Sequence, residues 1–265
     1  YLRNQLVMSN GGYKGASPAR ETSPEQYPGV WELTEQFQAQ ADGNWPFQPA
    51  DCAPKSLRFD GSSSYLAKTF GQAGDTRCWT YSVWVKRSKL GATNTLLMAY
   101  DQSGISEPQY ATITLESNDR LRVGWAYDAY KYCNAVHRDP SAWMHICVAV
   151  NTYHSTPSER VQVSINGVKQ TSFSTTHDPD LGQELAYNRA YLHHIGAESG
   201  QMYAGLFVSE LNFIDGQQLS CDEFGFYDGQ GIWQPKRFTG DYSSGPDWNN
   251  FISGTQYSTG RSLDM

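Results

Sequence analysis

Residues 79–86 place Trp79, Tyr81, Val83 and Val85 at every second position, with Thr80, Ser82, Trp84 and Lys86 between them. Successive side chains of an extended strand point to opposite faces, so this spacing predicts a strand with one apolar face rather than a helix. The same rhythm recurs in Leu121, Val123 and Trp125, in Met144, Ile146, Val148 and Val150, and in Val161, Val163 and Ile165. Asn166-Gly167 then precedes Val168, and such a pair accepts the positive φ angles of a type I′ turn, which predicts a hairpin. A longer strand is expected over about 202–214, before Asp215-Gly216 and a short helical turn near Leu219 to Phe224. Roughly a dozen short strands with turn residues between them, and almost no helix, predict an all-β fold of two packed antiparallel sheets.

The alternation is confined to the middle of the chain. Residues 1–29 are rich in Gly, Ser, Pro and Asn and read as an extended arm. Within 30–54, Trp31, Leu33, Phe37 and Ala41 recur at helical spacing before Gly43 and Pro46, so a short amphipathic helix is expected over about 31–42. Such a helix cannot bury its stripe alone and must dock on the sandwich or a neighbour. The sandwich is assigned to 55–226. Residues 227–265 read as an irregular extension that leads into further sequence, and Tyr1, which is not an initiator, suggests sequence upstream as well.

Composition narrows the partners. The formal charge of −7 and a pI near 5.3 disfavour nucleic acid, whose binders present basic patches. No run of about 18 apolar residues is present, so no span of a bilayer is expected. The first dozen residues lack the charged start and apolar stretch of a signal peptide. The five cysteines, Cys52, Cys78, Cys133, Cys147 and Cys221, are odd in number and show no CxxC spacing, which argues against zinc. Cys147 lies in the apolar run 146–150 and reads as a small buried hydrophobe with a free thiol, pointing to a reducing compartment.

With the strands placed, six segments resemble, in order and spacing, the laminin-G-like and concanavalin A-like jelly-roll family. They are SLRFDGSSSYL (56–66), WTYSVWVKR (79–87), DRLRVGW (119–125), SAWMHICVAV (141–150), VQVSINGVKQ (161–170) and HIGAESGQMYAGLFVSELNFIDGQQLS (194–220). RDPSAW (138–143), ELNFIDGQQL (210–219) and IWQPKRFTGDY (232–242), preceded by GVWELTEQFQAQADGNWP (29–46), resemble lectin-like virion proteins of tailed bacteriophages. That resemblance implies a tail fibre, adhesin or capsid decoration. The residues have local reasons too: Gly61 and Gly216 suit tight turns, while Asp60 and Asp215 can accept backbone amides.

Catalysis is not expected. Glycan hydrolases of this fold need two carboxylates on one face, arranged in the related β-glucanases as Glu-x-Asp-x-x-Glu, and no such run occurs. Glu210 and Asp215 are five residues apart, which on a regular strand sends them to opposite faces. His193 and His194 also face opposite ways and read as surface or strand-end residues. His145 reads as a packed, hydrogen-bonded imidazole on the strand that follows Trp143.

For ligand contact, Trp84 stands on the polar face of its strand, and Trp125, Tyr127, Tyr130 and Tyr132 form the densest aromatic segment, at a turn. Some laminin-G-like domains hold calcium through rim acids, and Asp75, Asp101 and Asp128 are loop acids here. The chain has no Asp-rich loop, so no metal or other cofactor is assigned. The expectation is a non-enzymatic virion protein that forms homo-oligomers. It would contact other virion subunits through its arm and helix (Trp31, Leu33, Phe37) and host-surface glycans through its sandwich. The alternative is a carbohydrate-binding or adhesion module of a cellular secreted protein.

Overall fold

The computed structural model describes residues 56–101, 110–126, 128–198 and 202–242, together with the backbone of 14–15 and 29–30. Strands β1 (Lys14–Gly15) and β2 (Gly29–Val30) pair as a two-residue antiparallel bridge. The expected helix, with Trp31, Leu33 and Phe37, lies outside the described residues, as do Cys52 and Tyr127.

Strands β3 to β15 build two large antiparallel sheets in a jelly-roll-like sandwich. One has six strands, in the order β12 (Val168–Lys169), β11 (Val161–Ile165), β10 (Met144–Asn151), β5 (Cys78–Arg87), β15 (Gly205–Asp215) and β3 (Leu57–Asp60). The other has seven: β13 (Phe173–Thr176), β9 (Tyr130–Val136), β8 (Arg120–Gly124), β7 (Tyr110–Leu115), β6 (Asn94–Tyr100), β14 (Leu192–Ile195) and β4 (Leu66–Thr69). The alternating residues of the sequence meet between them. Trp79, Tyr81, Val83 and Val85 from β5 pack with Ile146, Val148 and Val150 from β10 and with Ile113, Leu121 and Val123 of the opposite sheet. Trp79 stacks on Phe213 at 5.2 Å and meets Tyr187 edge-on at 4.9 Å. Fully burying one such large apolar side chain stabilises the fold by roughly 1.5–3 kcal/mol, so this layer holds the sheets together.

The turns follow their local chemistry. Asn166 and Gly167 have φ of 48° and 78°, the left-handed pair expected between β11 and β12. Gly167 has a second reason to lack a side chain, because a Cβ there would sit 2.4 Å from the Trp233 ring. Asp60 accepts the backbone N–H groups of Ser62, Ser63 and Ser64 at 2.8–3.0 Å, which hold its carboxyl far below the usual carboxylate range. Asp215 differs from the local role read for it. It accepts Asp75 N–H at 2.8 Å and the Asn188 amide, so it ties together segments distant in sequence.

Strand β15 corrects the argument applied to Glu210. The register shifts between Ser209 and Asn212, where three steps of β15 oppose two of β5, and Glu210 takes φ +43°. A bulge of this kind reverses the parity of the strand. Leu206 and Val208 face the core before it and Phe213 faces the core after it. The premise of a regular strand therefore fails between Glu210 and Asp215. The helical turn expected after β15 is a 3-10 turn at Cys221–Glu223, capped by Ser220. The chain beyond it is less irregular than expected, because β16 (Gly225–Tyr227) pairs with β17 (Trp233–Pro235). Phe224, Trp233 and Phe238 cover the outer face of the six-stranded sheet at Trp84, Cys147 and Ile214. Cys147 is buried and free, and the other described cysteines are free as well.

Three sequence segments meet in one ion cluster. Asp119, in the turn before β8 with φ +67°, receives Arg87 of β5 at 2.8 Å on one oxygen and Arg138 at 2.8 Å on the other. The Arg87 and Asp119 side chains are 2% and 7% exposed, so this is a buried pair joining strands of opposite sheets. Deleting one partner of such a pair leaves an uncompensated charge. Asp119→Asn keeps a residue that tolerates the left-handed backbone, and urea denaturation is expected to show a loss of about 3 kcal/mol. An unchanged unfolding midpoint would show that the cluster contributes nothing net.

Candidate functional site

The period-two rule that built the core also exposes a second set of side chains. On β8, Leu121 and Val123 face inward, so Arg120 and Arg122 face outward. On β9, Cys133 is in the core and the buried Lys131 donates to Val161 O at 2.8 Å, so Tyr130 and Tyr132 face outward beside the arginines. Pairing of Arg122 with Tyr132 and Gly124 with Tyr130 brings the four side chains into one ladder on the outer face of the seven-stranded sheet. All four are half-buried.

Each guanidinium lies over a ring, Arg120 at 4.6 Å from the Tyr132 centroid and Arg122 at 4.4 Å from that of Tyr130. A cation held over an aromatic face is attracted to the ring quadrupole, and this fixes both partners. Hydrogen bonds complete the positioning. Tyr132 donates to Asn118 Oδ1 at 2.8 Å, Arg120 donates to Cys133 O and Asn134 Oδ1, and Arg122 donates to Thr112 Oγ1. His177 stands edge-on to Tyr130 at 5.7 Å. Toward β6 the face carries Thr112 and Thr114, with two carboxylates as acceptors: Glu116 takes the Thr114 and Thr93 hydroxyls, and Glu198 takes that of Tyr110. Burial and the bond to Glu198 push the Tyr110 phenol above its ordinary range.

The structure separates the aromatic residues singled out in the sequence. Tyr130 and Tyr132 share this face, whereas Trp125 is 1% exposed and belongs to the core. Trp84 lies on the outer face of the other sheet, 7% exposed beneath the C-terminal segment. Burial withdraws both tryptophans from a solvent-borne ligand. Arg120, Arg122 and Asn118 were missed, although the alternation of arginine with Leu121 and Val123 already put them on a common outward face. The candidate calcium acids do not converge. Asp75 accepts Arg77 and Cys78 N–H groups, Asp101 is buried and Asp128 is exposed. No three His, Cys, Asp or Glu side chains among the described residues are placed to share a metal.

His145 is the packed imidazole that the sequence suggests. It lies between Trp84 and Trp233, stacked at 5.2 and 5.9 Å. Trp233 Nε1 donates to His145 Nδ1 at 3.0 Å, and an indole N–H can only donate. The imidazole proton therefore resides on Nε2, 2.9 Å from Ser82 Oγ. His193 and His194 are not surface residues: they are 0% and 5% exposed, within a strand flanked on both sides. His193 accepts Asn188 N–H at Nε2 and packs against Phe70 at 4.9 Å.

Residues 60–215 match the model of the Concanavalin A-like lectin/glucanases superfamily, more than half of the chain. The chain belongs to that superfamily. Among solved structures, this superfamily member is similar to the native heptameric SAP-like pentraxin from Limulus polyphemus, at 18% identity, TM-score 0.43, 62% of this chain and 77% of that one. Domains LG4-5 of the mouse laminin alpha1 chain give 14%, 0.44, 64% and 44%. Domain 4 of AbnA, a GH43 extracellular arabinanase from Geobacillus stearothermophilus, in complex with arabinotriose, gives 18%, 0.43, 62% and 72%. The chain thus spans less than half of the laminin pair. A comparison with curated proteins finds no match.

The buried imidazoles set a pH dependence. Burial pushes His145 and His193 down to about 4, from an ordinary value of 6.5. As pH falls, the unfolded chain binds these protons first, so stability is complete above about pH 6.5 and is lost toward pH 4. Each group accounts for on the order of 3 kcal/mol across that window. Urea midpoints are expected to be level from about pH 7 to 8 and to fall between about 6.5 and 4. His145→Gln should flatten part of the fall, and a profile without slope in that window would contradict the buried neutral pair.

Proposed function

We propose that this lectin-fold chain is a non-enzymatic attachment module that binds glycans on the outer face of its seven-stranded sheet. The observation that carries the reading is the Arg120, Tyr132, Arg122 and Tyr130 ladder, half-exposed and bordered by amides, hydroxyls and carboxylates. Hydroxyl-rich ligands need several hydrogen-bonding groups at fixed positions, and rigid strands supply them more accurately than loops. Glu116 and Glu198 serve here as acceptors that orient neighbouring hydroxyls, not as a hydrolytic pair.

The setting we infer is the virion of a tailed bacteriophage, as tail fibre, adhesin or capsid decoration. It rests on the resemblance of 138–143, 210–219 and 232–242 to lectin-like virion proteins. In that setting the arm and residues 31–42 contact other virion subunits, and the chain forms homo-oligomers. Free thiols at Cys78, Cys133, Cys147 and Cys221 suit a chain folded in a reducing host cytoplasm better than the secreted cellular module that is the other reading.

A glycan array with the whole chain is expected to give hits that weaken at least tenfold in Tyr132→Leu. Incubation of those glycans with the protein is expected to release no new reducing ends. Product that disappears in Glu116→Gln, Glu198→Gln or Glu210→Gln would replace the attachment reading with a hydrolase. Detection of the chain in purified phage particles tests the setting, and its recovery as a disulfide-bonded secreted protein would overturn it.

A further inference from the structure

The ladder is built unlike an open aromatic platform. A neutral sugar lays its C–H face on an exposed ring, yet here Arg120 covers the face of Tyr132 and Arg122 that of Tyr130. What Tyr132 offers outward is a guanidinium that it holds in place. Arg120 is also chemically incomplete. Of the five N–H donors of a guanidinium, its Nε uses one on Cys133 O at 2.7 Å and its Nη2 uses one on Asn134 Oδ1 at 2.6 Å. The other three have no acceptor among the described residues.

Its charge is likewise uncompensated by a described neighbour. The ion pairs of the described residues include Arg77, Arg87, Arg138 and Arg189, but not Arg120. Glu116, whose backbone N–H bonds Arg120 O across the turn at 2.9 Å, is the adjacent acid. It directs its oxygens to Thr114 and Thr93 instead. The groups around Arg120 on this edge, Asn118, Asn134, Tyr132 and Ser172, are neutral. Asn134 Nδ2 donates to Ser172 Oγ at 2.7 Å, which fixes the amide so that its oxygen faces the guanidinium.

We propose that the ladder is a site for an acidic saccharide, with Arg120 as the residue that receives its carboxylate or sulfate; this rests on the glycan-binding reading above and names the class of glycan. Arg120 meets the anion with its Nη edge while Nε and Nη2 stay anchored. The Tyr132 ring and Asn134 amide hold the fork still before the ligand arrives, so little side-chain freedom is lost on binding. The neighbouring sugar hydroxyls meet Asn118 and the Tyr132 hydroxyl. A chain of net charge −7 would otherwise repel such a ligand, so attraction must come from a local cation rather than from the overall field.

The test is titration calorimetry of the full chain with three probes, hexagalacturonate, a heparin-derived hexasaccharide and neutral maltohexaose, at low and high salt, beside the glycan array. At least one acidic probe is expected to bind, to weaken with salt and to lose at least tenfold in affinity in Arg120→Gln. Arg120→Lys, which keeps the charge and loses the planar fork, should fall between. The uronate and sulfate arms tell which anion is used, and unchanged thermal melting of the variants excludes loss of fold. Maltohexaose binding as well as the acidic probes, array hits restricted to neutral glycans, or an Arg120→Gln affinity equal to the parent would each overturn the acidic class while leaving glycan binding intact. Absence of any probe binding and of any array hit would remove both.

Discussion

Strand β5 is buried on both of its faces, and the rest of the molecule is arranged around that constraint. Its inward residues, Trp79, Tyr81, Val83 and Val85, need the seven-stranded sheet. Its outward residues, Thr80, Ser82 and Trp84, are equally dry and need a second cover. A central strand in a two-layer sandwich normally leaves one face to water. Here the chain after β15 supplies the missing layer, with Leu219, Phe224, Trp233 and Phe238 laid across Trp84 and Ile214. Thr80 Oγ1 fastens the start of that cover through Gln217 O and Leu219 N–H.

This second layer explains why the polar residues of the outer sheet face are of the kinds they are. A buried polar atom without a partner costs roughly 1–3 kcal/mol, and the groups around His145 find theirs inside the layer, whereas Trp84 Nε1 has no hydrogen-bond partner among the described residues. Ser82, His145 and Trp233 satisfy one another in a chain that leaves the imidazole neutral. The Asn166 side chain accepts His145 N–H, while its carbonyl takes the Tyr227 hydroxyl, so the β11–β12 turn is fixed by the cover as well as by its own backbone preference. The two sheets therefore have unlike outer faces. That of the six-stranded sheet is closed by the chain's own C-terminal segment, and the seven-stranded sheet presents its arginine and tyrosine ladder at the surface. The proposed attachment through the ladder rests on that asymmetry.

Particular residues show how much of this could be read in advance. The alternation in 79–86 and 144–150 identified the inward face correctly, since hydrophobic period and strand pleat are the same geometric fact. Asn166-Gly167 and Asp60-Gly61 were legible because positive φ and local amide capture are properties of a few consecutive residues. Glu210 was not. A bulge depends on how two strands share a register, and no spacing within β15 alone reveals it. Trp84 and Trp125 were both candidates for ligand contact, although Trp125 also continues the alternation of Leu121 and Val123; one lies beneath Trp233 and the other is in the core.

By itself, the sequence determined the all-β class, the inward faces, the main turns, the superfamily and the packed, hydrogen-bonded state of His145. The superfamily rests on the resemblance of six ordered segments, and the others rest on periods and neighbours within single strands. Tertiary structure alone decided that residues 219–242 roof one sheet, that Asp119 joins Arg87 to Arg138, and that Arg120 rests on Tyr132 with its outer edge open. Each of those depends on which side chains a long-range pairing brings opposite one another, and a linear pattern gives the face of a residue without giving its partner.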